Sequence, residues 1–99
     1  MKLVITNPAK SRFREMYDFY KRDGKGMVAR KIQATIQKKA LILKQNPFIG
    51  QTEPQLQHLG EGHRYLVVGD HKVVYKIIGQ YIYITDIFDT RQGPEKMNP

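Results

Sequence analysis

Two dipeptides that begin with glycine, Gly69-Asp70 and Gly79-Gln80, divide the second half of the chain into three runs rich in β-branched and aromatic residues: 63–68, 71–78 and 81–88. A two-residue hairpin turn needs positive φ at its first central position, and glycine takes that conformation without strain. The three runs are therefore expected to fold as an antiparallel meander. With two residues in each turn, counting places Val67 opposite Lys72, Tyr65 opposite Val74, Ile77 opposite Ile82 and Tyr75 opposite Ile84.

Side chains alternate along a strand, so the count also sorts the residues into two faces. One face collects Leu66, Val68, Val73, Tyr75, Ile77, Ile82, Ile84 and Phe88, the apolar side expected to receive helices. Arg64 and Asp86 fall on the same side and are expected to form an ion pair at its edge. The opposite face collects His63, Tyr65, Val67, Lys72, Val74, Lys76, Tyr83, Thr85 and Ile87, and continued alternation adds Asp89 and Arg91. Cations beside tyrosine and histidine suit phosphate and base contacts on single-stranded RNA. The same composition also suits a solvated sheet face with snorkelling lysines.

The first half reads differently. Leu3, Val4 and Ile5 make an apolar run too short for a signal segment or membrane span and read as a strand. Thr6-Asn7-Pro8 is a helix-start signal, with Phe13, Met16, Tyr17 and Tyr20 at i, i+3, i+4 and i+7 and Gly24 as the stop, predicting a helix over 8–23. A second helix is predicted over 26–45, with Val28, Ala29, Ile32, Ile36, Ala40 and Leu43 buried and Asn46-Pro47 ending it. Residues 48–62 read as a loop and 92–99 as an irregular tail. The fold class is thus α+β, one domain over 1–99: an N-terminal strand, a two-helix hairpin, then the meander with the helices on one face.

Charge is divided along the same boundary. Residues 1–46 hold 12 Lys and Arg against 3 Asp and Glu, and residues 47–99 hold 5 against 6. Such a surplus draws anionic partners, whether nucleic acid or an acidic protein segment, and it also serves solubility.

The chain has no cysteine, which excludes disulfides and thiol chemistry and fits a reducing cytoplasm. No P-loop, dinucleotide fingerprint or nucleophile elbow is present. His58, His63 and His71 are not spaced as joint ligands, so neither a metal nor a cofactor is expected. Metal-free phosphodiester cleavage needs a base, an acid and cations, and His63, Tyr65, Lys72, Asp89 and Arg91 supply those types. Lys76 and Tyr83 extend that face as candidate nucleic-acid or target contacts.

The order strand, two helices, "NPFIG" (46–50), "HRYLVVGDHKVVYKI" (63–77) and "IFDTRQGPEKM" (87–97) resembles the RelE/ParE superfamily of bacterial toxins from type II toxin-antitoxin modules. The resemblance spans nearly the whole chain. It implies a growth-inhibiting toxin neutralised by an acidic antitoxin that wraps its basic surface, with Arg12, Arg14, Lys31 and Lys38 as candidate antitoxin contacts. In the RelE-like branch the exposed sheet face cuts mRNA on the ribosome, a metal-independent endoribonuclease. Lys72 stands where that branch commonly has Arg, and Arg91 lies near its C-terminal catalytic Arg. The ParE-like branch acts on DNA gyrase and needs no ribonuclease site. The long helical hairpin and the "DTRQGPEKM" ending fit that branch better, Lys72 lacks the bidentate fork of Arg, and no Glu is placed as a base. A non-toxic relative that only binds an antitoxin or nucleic acid is the alternative.

Overall fold

The computed structural model describes residues 1–99. The chain runs β1 (Lys2–Ile5), α1 (Asn7–Arg22), α2 (Gly26–Gln45), β2 (Gln51–Thr52), a 3-10 turn (Pro54–Leu59), β3 (Arg64–Val68), β4 (His71–Ile78), β5 (Tyr81–Asp89) and a second 3-10 turn (Pro94–Lys96). The strands form one sheet in the order β1-β5-β4-β3-β2. β1 lies parallel to β5 and the other neighbours are antiparallel. This is the α+β plan expected, extended by β2 and the 3-10 turns within the segments read as loop and tail.

Local chemistry explains the helix boundaries. The Thr6 hydroxyl accepts the Ala9 N–H at 3.3 Å, Pro8 occupies the first turn, and Gly24 takes φ 71° just beyond the last turn. α2 follows at once and stops at Asn46, because the residue before Pro47 is driven out of the helical region. Its Ala29, Ile36, Ala40 and Leu43 are buried; Val28, expected among them, is exposed at the helix start.

Both hairpins turn on Gly69 and Gly79 at φ 57° and 58°, and all four counted pairs are observed. The register then shifts. Tyr75 pairs with Ile84 but Val74 pairs with Asp86, leaving Thr85 as an extra residue on β5. A bulge of this kind reverses which face the following residues occupy. Ile87, not Phe88, therefore joins Val73, Tyr75, Ile82 and Ile84 against Met16, Ile36 and Leu43 of the helices. Phe88 turns to the opposite face.

That opposite face is not solvated at its centre. Val74 and Phe88 pack there with Leu56 of the first 3-10 turn and Met97 of the tail, flanked by Tyr65. The expected Arg64–Asp86 pair is also absent, because the bulge redirects Asp86. Its carboxylate is buried, accepts the Asn98 N–H at 2.9 Å and faces the Arg12 guanidinium at 3.6 Å. Arg64 instead donates to the Gly50 carbonyl at 2.8 Å. Burial raises the Asp86 carboxyl above its usual range, against the lowering effects of the Asn98 N–H and Arg12.

Candidate functional site

Of the five residues proposed for cleavage chemistry, the fold brings three together. His63, Tyr65 and Lys72 converge on Glu53, a residue to which the sequence reading assigned no part. Lys72 Nζ lies 2.9 Å from Glu53 Oε2 and 4.2 Å from the Tyr65 ring centroid. The His63 carbonyl accepts the Glu53 N–H at 2.9 Å. Glu53 is fully buried and also caps the 3-10 turn, its Oε1 accepting the Gln55 N–H at 3.2 Å. The run Glu53-Pro54, an acceptor before proline, is a helix-start signal inside the segment read as loop, and it is the signal that could have found this residue.

The groups in this cluster are engaged or shut away from solvent: His63 Nδ1 has no hydrogen-bond partner but is buried. His63 is buried and its Nε2 donates to the Pro99 carbonyl at 3.0 Å, while the Tyr65 hydroxyl donates to Gln51 Oε1 at 2.9 Å. Lys72 neutralises Glu53. A base needs a lone pair within reach of a substrate proton, and here the two carboxylate oxygens hold an ammonium and a helix cap. The arrangement ties β2, β3, β4 and the tail together and covers the sheet.

Asp89 and Arg91 lie elsewhere. Past the Thr85 bulge, Asp89 pairs across the sheet with His71 and not with Lys72. Arg91 Nη2 and Nε each sit 2.9 Å from the Asp89 carboxylate, and Asp70 lies 3.8 Å from Nη1. The hydrogen bonds from Arg91 hold the Asp89 carboxyl below its usual range. Both residues border a cavity of about 520 Å³ with Tyr20, Arg22 and His71, on the side of the sheet that carries α1. Desolvation lowers the pKa of buried His71 against the opposing pull of Asp89. The five residues thus divide between two places and do not form one constellation. Lys76 pairs across the strands with Tyr83 and holds Glu61 at 3.1 Å.

The helical hairpin presents a different surface. Of its four candidate contacts, Arg12 is committed within the fold to Asp86 and the Lys96 carbonyl. Arg14, Lys31 and Lys38 are exposed. Between α1, α2 and β1 runs a groove of about 650 Å³ whose floor and walls include Leu3, Ile5, Phe13, Ile36, Leu41 and Ile87. Lys10, Arg14, Gln33 and Gln37 also line it. Its β1 side is an outer strand of the sheet, since β1 has β5 as its one neighbour. The arrangement suits an amphipathic partner with an apolar stripe and acidic flanks.

The family model for the ParE toxin of type II toxin-antitoxin systems, parDE, matches residues 3–94. The chain belongs to the ParE toxin family. A solved structure described as the chromosomal ParDE TA system from P. aeruginosa resembles it with a TM-score of 0.72 at 23% identity, over 90% of this chain and 95% of that one. A search of curated proteins returned no match. Membership accounts for the strand, hairpin and meander order read from the sequence, and it makes this ParE-family chain the toxin member of a two-component system. No helix is long and apolar enough to cross a membrane.

Proposed function

We propose that the chain is a growth-arresting cytoplasmic toxin that works by binding DNA gyrase, and that an acidic, amphipathic antitoxin segment neutralises it by occupying the α1–α2–β1 groove. One observation carries the choice of gyrase over mRNA: the sheet face that would cut RNA is closed. Leu56 and Met97 cover its centre, and Glu53 and Lys72 neutralise each other beside it. Asp89 and Arg91, which an RNA-cutting face would need beside Lys72, border the cavity against α1. What remains open is a binding surface. The groove is apolar within and basic at its α1 rim, the chemistry that receives an amphipathic acidic helix.

Induced expression without an antitoxin tests this reading. Growth is expected to stop, with purified toxin inhibiting supercoiling by purified gyrase while cellular transcripts stay intact. Arrest with transcripts cleaved on ribosomes would assign the chain to the RNA-cutting branch, and continued growth with soluble protein accumulating would make it a non-toxic binding relative.

A further inference from the structure

The segment "NPFIG" leaves α2 with two large apolar side chains in solvent. Phe48 is 67% exposed and Ile49 55%. Single exposed apolar residues are ordinary on a protein surface, but this pair is held in place by the sheet. The Tyr75 hydroxyl donates to the Pro47 carbonyl at 2.7 Å and accepts the Gly50 N–H at 2.9 Å. From β3, Arg64 donates to the carbonyls of Phe48 and Gly50 at 3.3 and 2.8 Å, and its guanidinium lies 5.2 Å from the Phe48 ring centroid. Carbonyls and an N–H on both sides of the Phe48-Ile49 pair are thus pinned by two side chains of the sheet. A rigid segment loses little conformational entropy when a partner covers it.

We infer that Phe48 and Ile49 form the contact by which the toxin engages its protein target, inserting into an apolar pocket bordered by carboxylates. Charge complementarity points to that occupant. The patch is flanked by two cations, Arg64 stacked on the Phe48 ring and Lys44 in the last turn of α2, and α2 itself carries no Asp or Glu. An aromatic side chain stacked with an arginine is the composition of residues that dominate binding energy in protein interfaces. Neither Phe48 nor Ile49 lines the groove assigned to the antitoxin. Target and antitoxin would then hold different faces of one small domain. The assignment rests on the reading of the chain as a toxin that acts by binding gyrase.

The test compares the full-length wild type with Phe48→Ser and Ile49→Asp, using purified DNA gyrase as the probe. Both side chains are exposed, so the variants are expected to melt as the wild type does. Supercoiling inhibition should weaken at least about tenfold, with antitoxin affinity unchanged, since a central interface anchor commonly costs that much or more. Equal inhibition by folded variants overturns the assignment. Loss of antitoxin binding in the same variants would also overturn it by giving the patch to the antitoxin. So would a wild-type dimer that Phe48→Ser renders monomeric. A wild type that leaves gyrase untouched removes the target reading and this assignment together, whereas potent variants beside a potent wild type remove the patch alone.

Discussion

The Tyr75 hydroxyl sits 2.9 Å from the Gly50 amide nitrogen, in a gap that admits no side chain at position 50. A Cβ added to Gly50 would meet the Tyr75 oxygen at 2.6 Å and the Tyr65 carbonyl at 2.8 Å. Glycine here serves close approach. Gly50→Ala is expected to unseat the hydroxyl, and Tyr75→Phe to leave the Gly50 N–H and Pro47 carbonyl without that partner. For Tyr75→Phe the loss should be about 1–3 kcal/mol in denaturant unfolding. A midpoint equal to the wild type would show that water replaces the hydroxyl at no cost.

Glu53 and Lys72 form a pair in which one partner is fully buried and the other mostly so. Lys72→Met would leave a carboxylate buried without its cation, a situation that costs about 3–5 kcal/mol. Adding Glu53→Gln should recover a substantial part of that loss. A double-mutant cycle with strictly additive losses would show that the two groups do not act as a pair.

His71 gives stability a pH dependence with a definite sign. It is 3% exposed, its Nδ1 has no hydrogen-bond partner, and its pKa lies below the ordinary 6.5. In the window beneath 6.5 the unfolded chain therefore binds more protons at this site than the folded one, so acidification favours unfolding. Of the charged groups facing it, the Asp89 carboxyl is held below its usual range and the Arg91 guanidinium is raised, so neither changes charge in that window. Stability is expected to fall as pH drops from 7 toward 5.5, and His71→Gln should flatten this part of the profile. An unchanged slope in the variant would place the titration elsewhere.

Leu41 lines the groove yet is 62% exposed, which makes it a probe of binding with little effect on folding. Leu41→Asp should leave the melting temperature within about two to four degrees, since exposed substitutions usually stay within about 0.5 kcal/mol. Antitoxin affinity should drop at least about tenfold by calorimetry. Arg14→Glu is expected to weaken the same complex mainly through its association rate, and more so at low salt.

The amino-acid order by itself determined whatever depends on neighbours a few residues away. α2 occupies the predicted span, α1 starts one residue early, and the two hairpins carry the counted register, because caps, glycine turns and prolines act over single turns of chain. The family resemblance was legible for the same reason: it lies in the order of those elements. Tertiary structure decided which side chains share a face beyond Thr85. A bulge is one extra residue in a ladder, invisible to alternation, and it carried Asp89 away from Lys72 and exchanged Phe88 for Ile87 in the core. It also decided that Glu53 would hold Lys72 across 19 positions and that Met97 would cover the sheet. Such pairings are made between segments distant in sequence, where burial and charge neutralisation, and not local propensity, select the partner.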